Sequence, residues 1–573
     1  MIRLLRNRKE AQMAPVRTTV QSSSAVLGTT DAERRRFVRM SALATGAFFI
    51  NSRFSRAVLG DDAPPSPPTT PFLEPLAFPR YAIPLPSFSP LDPAPAPELF
   101  QRYGEFAPVH QYEIPVREVL GRPHPQLGLS RFSTYAGSAP GPTFMARYGQ
   151  AAMVRFSNHL PEEIQGFGSP EIITHLHNGN QASESDGFPA DRYGPGYFKD
   201  HHYPNHPAGG NYAEAKGTLW YHDHCMDFTA QNTYRGLSGF YLLFDNLDSG
   251  DERDSNPDAF RLPSGVPDGG RVKNRYDIPL LLTDRKYDEN GVLEMDPMDM
   301  EGYIGDKFLV NGRVQPYFDV ERRKYRFRVL AGGPSRFWDL WFSNGMEFEI
   351  VGTDGNLLPA PITAQRFRLG QGERMDIVVD FSRLPESTQA IYLVNRAEQR
   401  DGRGPEQEPL PIGQSPRLLK LNIRPGAVED MSRVPSTMRP LEPVSTLGAV
   451  RREWKFDRRN GLWTVNSQLF DAETPRITVV QGRPEVWHFD TNGGWAHPIH
   501  FHLEEGRILS YNGNGVAGTL LGGRKDVFTL YDGDEMDVFV RFRDWTGRYV
   551  MHCHNTIHED HAMMIRFDIV KPT

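Results

Sequence analysis

Apolar and polar positions alternate with a two-residue period wherever the chain is regular. Tyr325, Phe327 and Val329 alternate with Arg326 and Arg328, which predicts a strand with one buried face. Met536, Val538, Val540 and Phe542 alternate in the same way with Asp537, Phe539, Arg541 and Arg543, although Phe539 blurs the polar side. Asn311-Gly312, Asp354-Gly355 and Asn460-Gly461 supply turn signals between runs of this kind. The 52 glycines and 48 prolines favour short strands joined by turns over long helices. An all-β chain is expected.

Length divides it. The 573 residues exceed what one core organises, and loop-rich breaks near 247–271 and 425–447 separate blocks of β character. The predicted organisation is a leader over 1–60, a Pro-rich arm over 61–98, and β-sandwich domains over 99–250, 251–430 and 431–573. Between Pro64 and Pro97 there are 13 prolines, too many for a helix or a central strand, so an extended arm is expected, laid on the surface or left mobile. The leader carries Arg34-Arg35-Arg36-Phe37-Val38 before the weakly apolar run Met40–Ile50. Its order of features is similar to a twin-arginine export signal, which places the protein in a periplasmic or extracellular setting. A charged tail before a short helix is the bland alternative, and Met13 is a second candidate start. The apolar run is far shorter than the ~20 residues of a membrane-spanning helix.

A net charge of −7 without a basic block argues against nucleic acid as partner. Two cysteines, Cys225 and Cys553, rule out a disulfide-stapled scaffold. The 18 histidines are unevenly placed, with none between His224 and His488. Four His-x-His pairs occur, at His175/His177, His222/His224, His500/His502 and His552/His554. Residues i and i+2 of a strand share a face, so each pair presents two imidazoles side by side. Eight such rings fit a cluster of metal ions better than a single ion.

The last pair brackets a cysteine. In His552-Cys553-His554 the histidines face one way and the thiol the other, and His558 and Met563 follow. With His497 this gives two imidazoles, a thiolate and a thioether, a set that selects copper of the blue, electron-transfer type. Zinc gains little from a thioether. A buried apolar thiol is the alternative for Cys553.

These segments resemble the multicopper oxidases of laccase and bilirubin oxidase type. The match lies in Thr174–His177, Trp220–His224, His497–His502 and His552–Met564. Weaker similarity runs from about residue 100 to 573 and includes Pro140–Thr143, Tyr276–Pro279 and Arg323–Arg328. Phe198–Asp200, Tyr203–Asn205 and Gly494–His497 look most like bilirubin oxidases and bacterial spore-coat laccases. The resemblance implies three cupredoxin-like Greek-key β-sandwich domains and four copper ions. His497, Cys553, His558 and Met563 would form the type 1 site, and His175 with His500 the type 2 site. His177, His222, His224, His502, His552 and His554 would hold the type 3 pair. Asp186 and Glu559 match carboxylates that serve oxygen reduction in the family, and Trp495 stands where bilirubin oxidases carry a substrate-side tryptophan. Loop acids and a core aromatic are the plain alternatives for these three.

The implied activity is one-electron oxidation of phenolic, aminophenolic or tetrapyrrole donors coupled to four-electron reduction of O2, by a monomer. A metallo-oxidase acting on Cu(I) or Mn(II) is a second reading, resting on the alternating thioethers and carboxylates of Glu294–Glu301; a copper store or structural protein is a third. Departures from the family are Asn178, where relatives carry glycine, Cys225 beside His224, and an additional His201/His202/His206 group. Cys225 is expected to be a free packing thiol, and the histidine group a surface metal site or nothing at all.

Overall fold

The computed structural model describes residues 64–573 apart from 265, 269–270, 274–275 and 492. The leader readings at Met13, Arg34–Val38 and Met40–Ile50 lie outside these residues. Within them, six large sheets pair into three sandwiches, and one connectivity occurs three times. In the first sheet of each sandwich the opening strand runs parallel to a later one: His110–Gly121 beside Ala152–Asn158, Asp277–Tyr287 beside Lys324–Ala331, and Val450–Arg459 beside Glu485–Thr491. In the second sheet the closing strand runs parallel to a short one: Ser238–Phe244 beside Phe144–Arg147, Arg417–Ala427 beside Tyr317–Arg322, and Met564–Val570 beside Ile477–Val480. The chain crosses between sheets rather than finishing one first, and this is the expected cupredoxin-like Greek-key sandwich, repeated.

Each sandwich closes on its own apolar core, drawn from the inward faces of both sheets. Val154, Phe156 and Tyr221 lie in the first, Leu280, Ile377 and Leu421 in the second, and Trp487, Phe501 and Phe567 in the third. The alternation at 536–542 is confirmed: the strand covers Glu535–Val540, its apolar face is buried, and Phe542 stays buried just beyond it. The 325–329 strand is Lys324–Ala331, but it has no polar face exposed. Arg326 and Arg328 are as buried as the apolar residues beside them. Their side meets the first sandwich, and the charges are matched there: Arg326 pairs with Asp248 and Asp376 at 2.8 and 2.6 Å, and Arg328 with Asp277 at 2.8 Å. Alternation of charge and hydrocarbon reads as an exposed face only until a second domain covers it.

The Pro-rich segment is extended and fastened to the body. Leu76 enters the middle core, Pro75 and Tyr81 bridge to Tyr317 and Thr143, and the carbonyls of Asp92 and Pro93 accept from Arg155. No described helix is long and apolar enough to cross a membrane.

Removing one partner of a fully buried, bidentate ion pair strands the other charge, at about 3–5 kcal/mol. Asp277→Leu is therefore expected to lower the melting temperature markedly in calorimetry, whereas Asp319→Leu, on an exposed pair with Arg424, is expected to leave it nearly unchanged.

Candidate metal centre

Strand parity builds two sites back to back. His497, Ile499 and Phe501 of the strand His497–Phe501 face the core of the third sandwich, so His500 and, one residue past the strand, His502 face outward. Its antiparallel neighbour Gly547–Cys553 puts Tyr549, Met551 and Cys553 inside and His552 outside, with Ile499 opposite Cys553 and His500 opposite His552. The first sandwich repeats the arrangement. Leu176 and Tyr221 face its core, while His175 lies opposite His222 on the outer side. The two outer faces meet: the His175 ring stacks on His502 at 3.7 Å and the His177 ring on His500 at 3.8 Å.

Eight imidazoles are gathered at this junction, and each is at most 2% exposed. Five are hydrogen-bonded from behind, and His177 and His224 lie against carboxylates. The Nδ1–H of His175 donates to the Asp186 carbonyl at 2.6 Å, that of His222 to the Asp223 carbonyl at 2.8 Å, and that of His500 to the Asp526 carbonyl at 2.7 Å. His502 Nδ1–H donates to the Asp186 carboxylate at 2.6 Å. His552 Nδ1–H donates to the Cys553 carbonyl at 3.1 Å, and Glu559 lies beside that ring and His224, its oxygens 3.0 and 3.3 Å from their Nδ1 atoms. His177 is reversed: its Nε2 lies 3.0 Å from Asp526 Oδ2. Such contacts settle which nitrogen keeps its proton and aim the bare one forward.

The forward nitrogens have no protein partner. His175 Nε2, His222 Nε2, His500 Nε2 and both nitrogens of His177 and of His554 are buried without a hydrogen bond. The Nε2 atoms of His224 and His502 lie 3.2 and 3.4 Å from that of His552. With the protons of His502 and His552 held on Nδ1, their Nε2 atoms are lone pairs facing each other, an arrangement that calls for a cation between them. Two triads, His177/His222/His554 and His224/His502/His552, and a third group, His175/His500/His502, each bring donor atoms within 4.8 Å of one another. The donor set fits copper, for which neutral imidazole is a strong ligand.

On the inner side, Cys553 Sγ lies 3.4 Å from His497 Nδ1 and 3.6 Å from His558 Nδ1. The short helix Thr556–Asp560 carries His558, and the turn after it brings back Met563, whose carbonyl accepts from the Cys553 N–H at 3.1 Å. Met563 is fully buried in the same core. Burial raises the Cys553 thiol far above its ordinary pKa, so its thiolate depends on a bound cation.

Asp526 was not visible as a site residue in the sequence. It has no histidine near it along the chain, yet its carbonyl and carboxylate serve His500 and His177, and Arg374 pairs with it at 2.8 Å. Burial pushes its carboxyl well above the usual carboxylate range against that pull. Trp495 is half-buried and meets Trp463 edge-on at 5.2 Å, and Trp463 stacks on His558 at 3.7 Å.

Two alternative metal features form no ligand set among the described residues. His201 and His202 point to opposite sides of the strand Phe198–Tyr203, donating to the carbonyls of Ser185 and Phe106, and His206 packs on Phe106. They form no ligand set. The thioethers of Glu294–Glu301 also diverge: Met295 packs with Tyr234 and Tyr303, Met298 is exposed, and Met300 lies against the third core. Cys225 is a free, buried thiol in the first core. Asn178 takes the left-handed conformation (φ 68°) and donates to the Asp354 carbonyl and to Glu505.

Residues 123–247 and 444–572 match family models described as multicopper oxidase. A bilirubin oxidase from Albifimbria verrucaria is 31% identical over 505 residues, covering 86% of this chain and 81% of its own. A laccase from Bacillus stratosphericus is 31% identical over 542 residues, covering 84% and 99%. The crystal structure of a laccase from Pediococcus acidilactici superposes with a TM-score of 0.69 at 22% identity, over 89% of this chain and 96% of that one, a likeness of fold.

Burial depresses the basicity of the site histidines, holding His222 at about 4 and His497 at about 3. Unfolded histidines take up a proton near pH 6.5. Between that value and the depressed ones the unfolded chain binds the extra protons, so stability falls as the pH falls, by about 1.4 kcal/mol per unit for each such ring. The metal-free protein is expected to melt at steadily lower temperature from pH 7 to pH 4.5. A flat profile would contradict the neutral, buried rings.

Proposed function

The chain belongs to the multicopper oxidases, copper oxidoreductases that use O2, and from that premise we propose that it holds four coppers and oxidises phenolic, aminophenolic or tetrapyrrole donors. The type 1 ion is assigned to His497, Cys553, His558 and Met563, and the type 2 ion to His175 and His500. The type 3 pair is assigned to the triads His177/His222/His554 and His224/His502/His552. One observation carries the reading: Cys553 belongs to the inner group while its neighbours His552 and His554 belong to the outer cluster. The two sites are joined by a few covalent bonds through the backbone, a path with no purpose in a store or a structural protein.

Copper supplies a one-electron acceptor at the inner site and binds and reduces O2 at the outer one. The protein's residues do the rest. Asp186 accepts the His502 N–H and Glu559 lies 3.0 Å from His552 Nδ1 on the other side of the cluster, and as buried carboxyl groups they are assigned the delivery of protons that reduction of O2 to water consumes. Asp526 and Arg374 orient His177 and His500. Trp495, half-buried and two residues from His497, is assigned to the donor side. The donor class is supported by the bilirubin oxidase and laccase relatives. We also propose export through the leader, on the order of Arg34–Val38 and Met40–Ile50; Arg34→Lys with Arg35→Lys is expected to retain the protein inside the cell.

The deciding experiment is oxygen consumption by the copper-loaded protein with bilirubin, a phenol, Cu(I) and Mn(II) in parallel. Turnover is expected with the first two. Cys553→Ser is expected to lose the blue colour and donor oxidation while circular dichroism shows the fold intact. A blue protein that consumes no oxygen with any donor would establish the storage reading, and turnover confined to Cu(I) or Mn(II) the metallo-oxidase one. Asp186→Asn and Glu559→Gln are expected to keep the blue colour and slow oxygen consumption by about 10²-fold or more.

A further inference from the structure

Just past His177 the loop 178–181 encloses, with Tyr203 and Lys216, a cavity of about 20 Å³, room for one water molecule. Asn178, Gln181, Tyr203 and Lys216 are each at most 5% exposed. Neither amide can be turned round. Asn178 Nδ2 donates to the Asp354 carbonyl at 2.5 Å and to Glu505 at 2.7 Å. Gln181 Nε2 donates to the Leu176 carbonyl at 3.1 Å and to Asp186 Oδ1 at 3.0 Å. The oxygens left over, Asn178 Oδ1 and Gln181 Oε1, are buried without a hydrogen bond, and so is the Tyr203 hydroxyl. Lys216 Nζ donates to the Asn178 carbonyl at 2.8 Å and has two further N–H groups to place. Gly179 lets the Gln181 amide fold back this far, because a Cβ there would lie 1.7 Å from Oε1.

A ligand for these four groups must accept from an ammonium and a phenol and donate to two amide oxygens. The oxygens repel an anion, the ammonium repels a cation, and an apolar molecule leaves all four groups unpaired. Water meets every demand, and the volume admits nothing larger. We propose that the cavity is a water site built by Asn178, Gln181, Tyr203 and Lys216, and that it makes Gln181 the positioning residue for Asp186. Asp186 Oδ2 accepts the His502 N–H at 2.6 Å, and Oδ1 accepts the Gln181 N–H. The carboxylate is thus held at both oxygens, one hold ending on a ligand ring and the other on the water site. An amide turned the wrong way would present its oxygen to the carboxylate; the water opposes that turn by donating to Oε1. Gln181 itself passes no proton. The positioning role rests on the assignment of Asp186 given above, whereas the water site stands without it. Asn178, which the copper sites leave without a part, supplies one wall and one acceptor.

A crystal structure of the copper-loaded full chain tests the site directly. One ordered water is expected within hydrogen-bond distance of Gln181 Oε1, Asn178 Oδ1, Tyr203 Oη and Lys216 Nζ. A dry cavity, or an ion in it, overturns the site. Stopped flow tests the positioning role by separating anaerobic bleaching by hydroquinone from reoxidation of the reduced protein by O2. Gln181→Met is expected to keep the blue absorption and the bleaching rate and to slow reoxidation about ten-fold or more. Tyr203→Phe, which takes one donor from the water, is expected to slow reoxidation by a smaller factor. Equal slowing of both half-reactions, or a changed blue absorption, would make Gln181 a structural residue and overturn its positioning role. If Gln181→Met does not retain copper, Gln181→Glu decides on the same readings, since it keeps the shape and withdraws the N–H from Asp186. Wild-type reoxidation in the Gln181 variant beside slow reoxidation in Asp186→Asn overturns the role of Gln181 alone. Wild-type reoxidation in both overturns the assignment of Asp186 instead.

Discussion

The architecture depends on the alternation of side chains along a β-strand. Because neighbours point to opposite faces, Cys553 can enter the core of the third sandwich only if His552 and His554 leave it. The His497–Phe501 strand obeys the same rule, sending His497 inward and His500 and His502 outward. A helix would have spread these residues around its circumference. On a strand, three consecutive residues serve two sites without distortion, and the distance between the sites is set by the thickness of a single sheet. The outward histidines still need a second wall, and the first sandwich, built on the same connectivity, presents the matching face.

Packing so many neutral rings without water is costly unless every nitrogen has an assigned partner. The protein divides the work by side. Behind the rings, the carbonyls of Asp186, Asp223, Asp526 and Cys553 and the Asp186 carboxylate accept N–H groups, and Glu559 lies close beside two more; in front, bare nitrogens face one another. Desolvation keeps the rings unprotonated, which a metal site requires. The same burial that makes the empty arrangement unfavourable therefore prepares it for a cation. Neutral imidazoles on this side, and imidazoles with a thiol on the far side of the sheet, are donor sets that suit copper.

The two candidate metal sites were legible in the sequence because most of their residues sit in short strands, where spacing along the chain maps directly onto spacing in space. The His-x-His pairs, the bracketed cysteine and the two acids beside them all fall in this class. What it hid depends on contacts between distant segments. Asp526 looks like any strand-end acid until Arg374 and two histidines from different segments close around it. Arg326 and Arg328 read as a solvated face because their carboxylate partners come from other strands and loops. Local clusters also misled: adjacent His201 and His202 diverge by the same parity that unites His175 and His177.

The middle sandwich, which supplies no ligand, is nonetheless part of both sites. Gly372 approaches His554 so closely that a Cβ there would lie 2.8 Å from the ring, and its φ of +82° excludes most other residues as well. Two residues on, Arg374 holds Asp526. A loop from the same sandwich covers the inner site through the Glu301 carbonyl, and Ser335 donates to Asn555, which caps the short helix carrying His558. Each contact fixes a ligand from outside the sandwich that bears it. Had the first and third sandwiches met without the middle one, the rings of the junction would have kept their chemistry but lost the supports that fix their orientation. Its lack of histidine is then a division of labour, in which one copy of the repeat supplies no ring to the clusters and provides the surfaces that hold the other two in register.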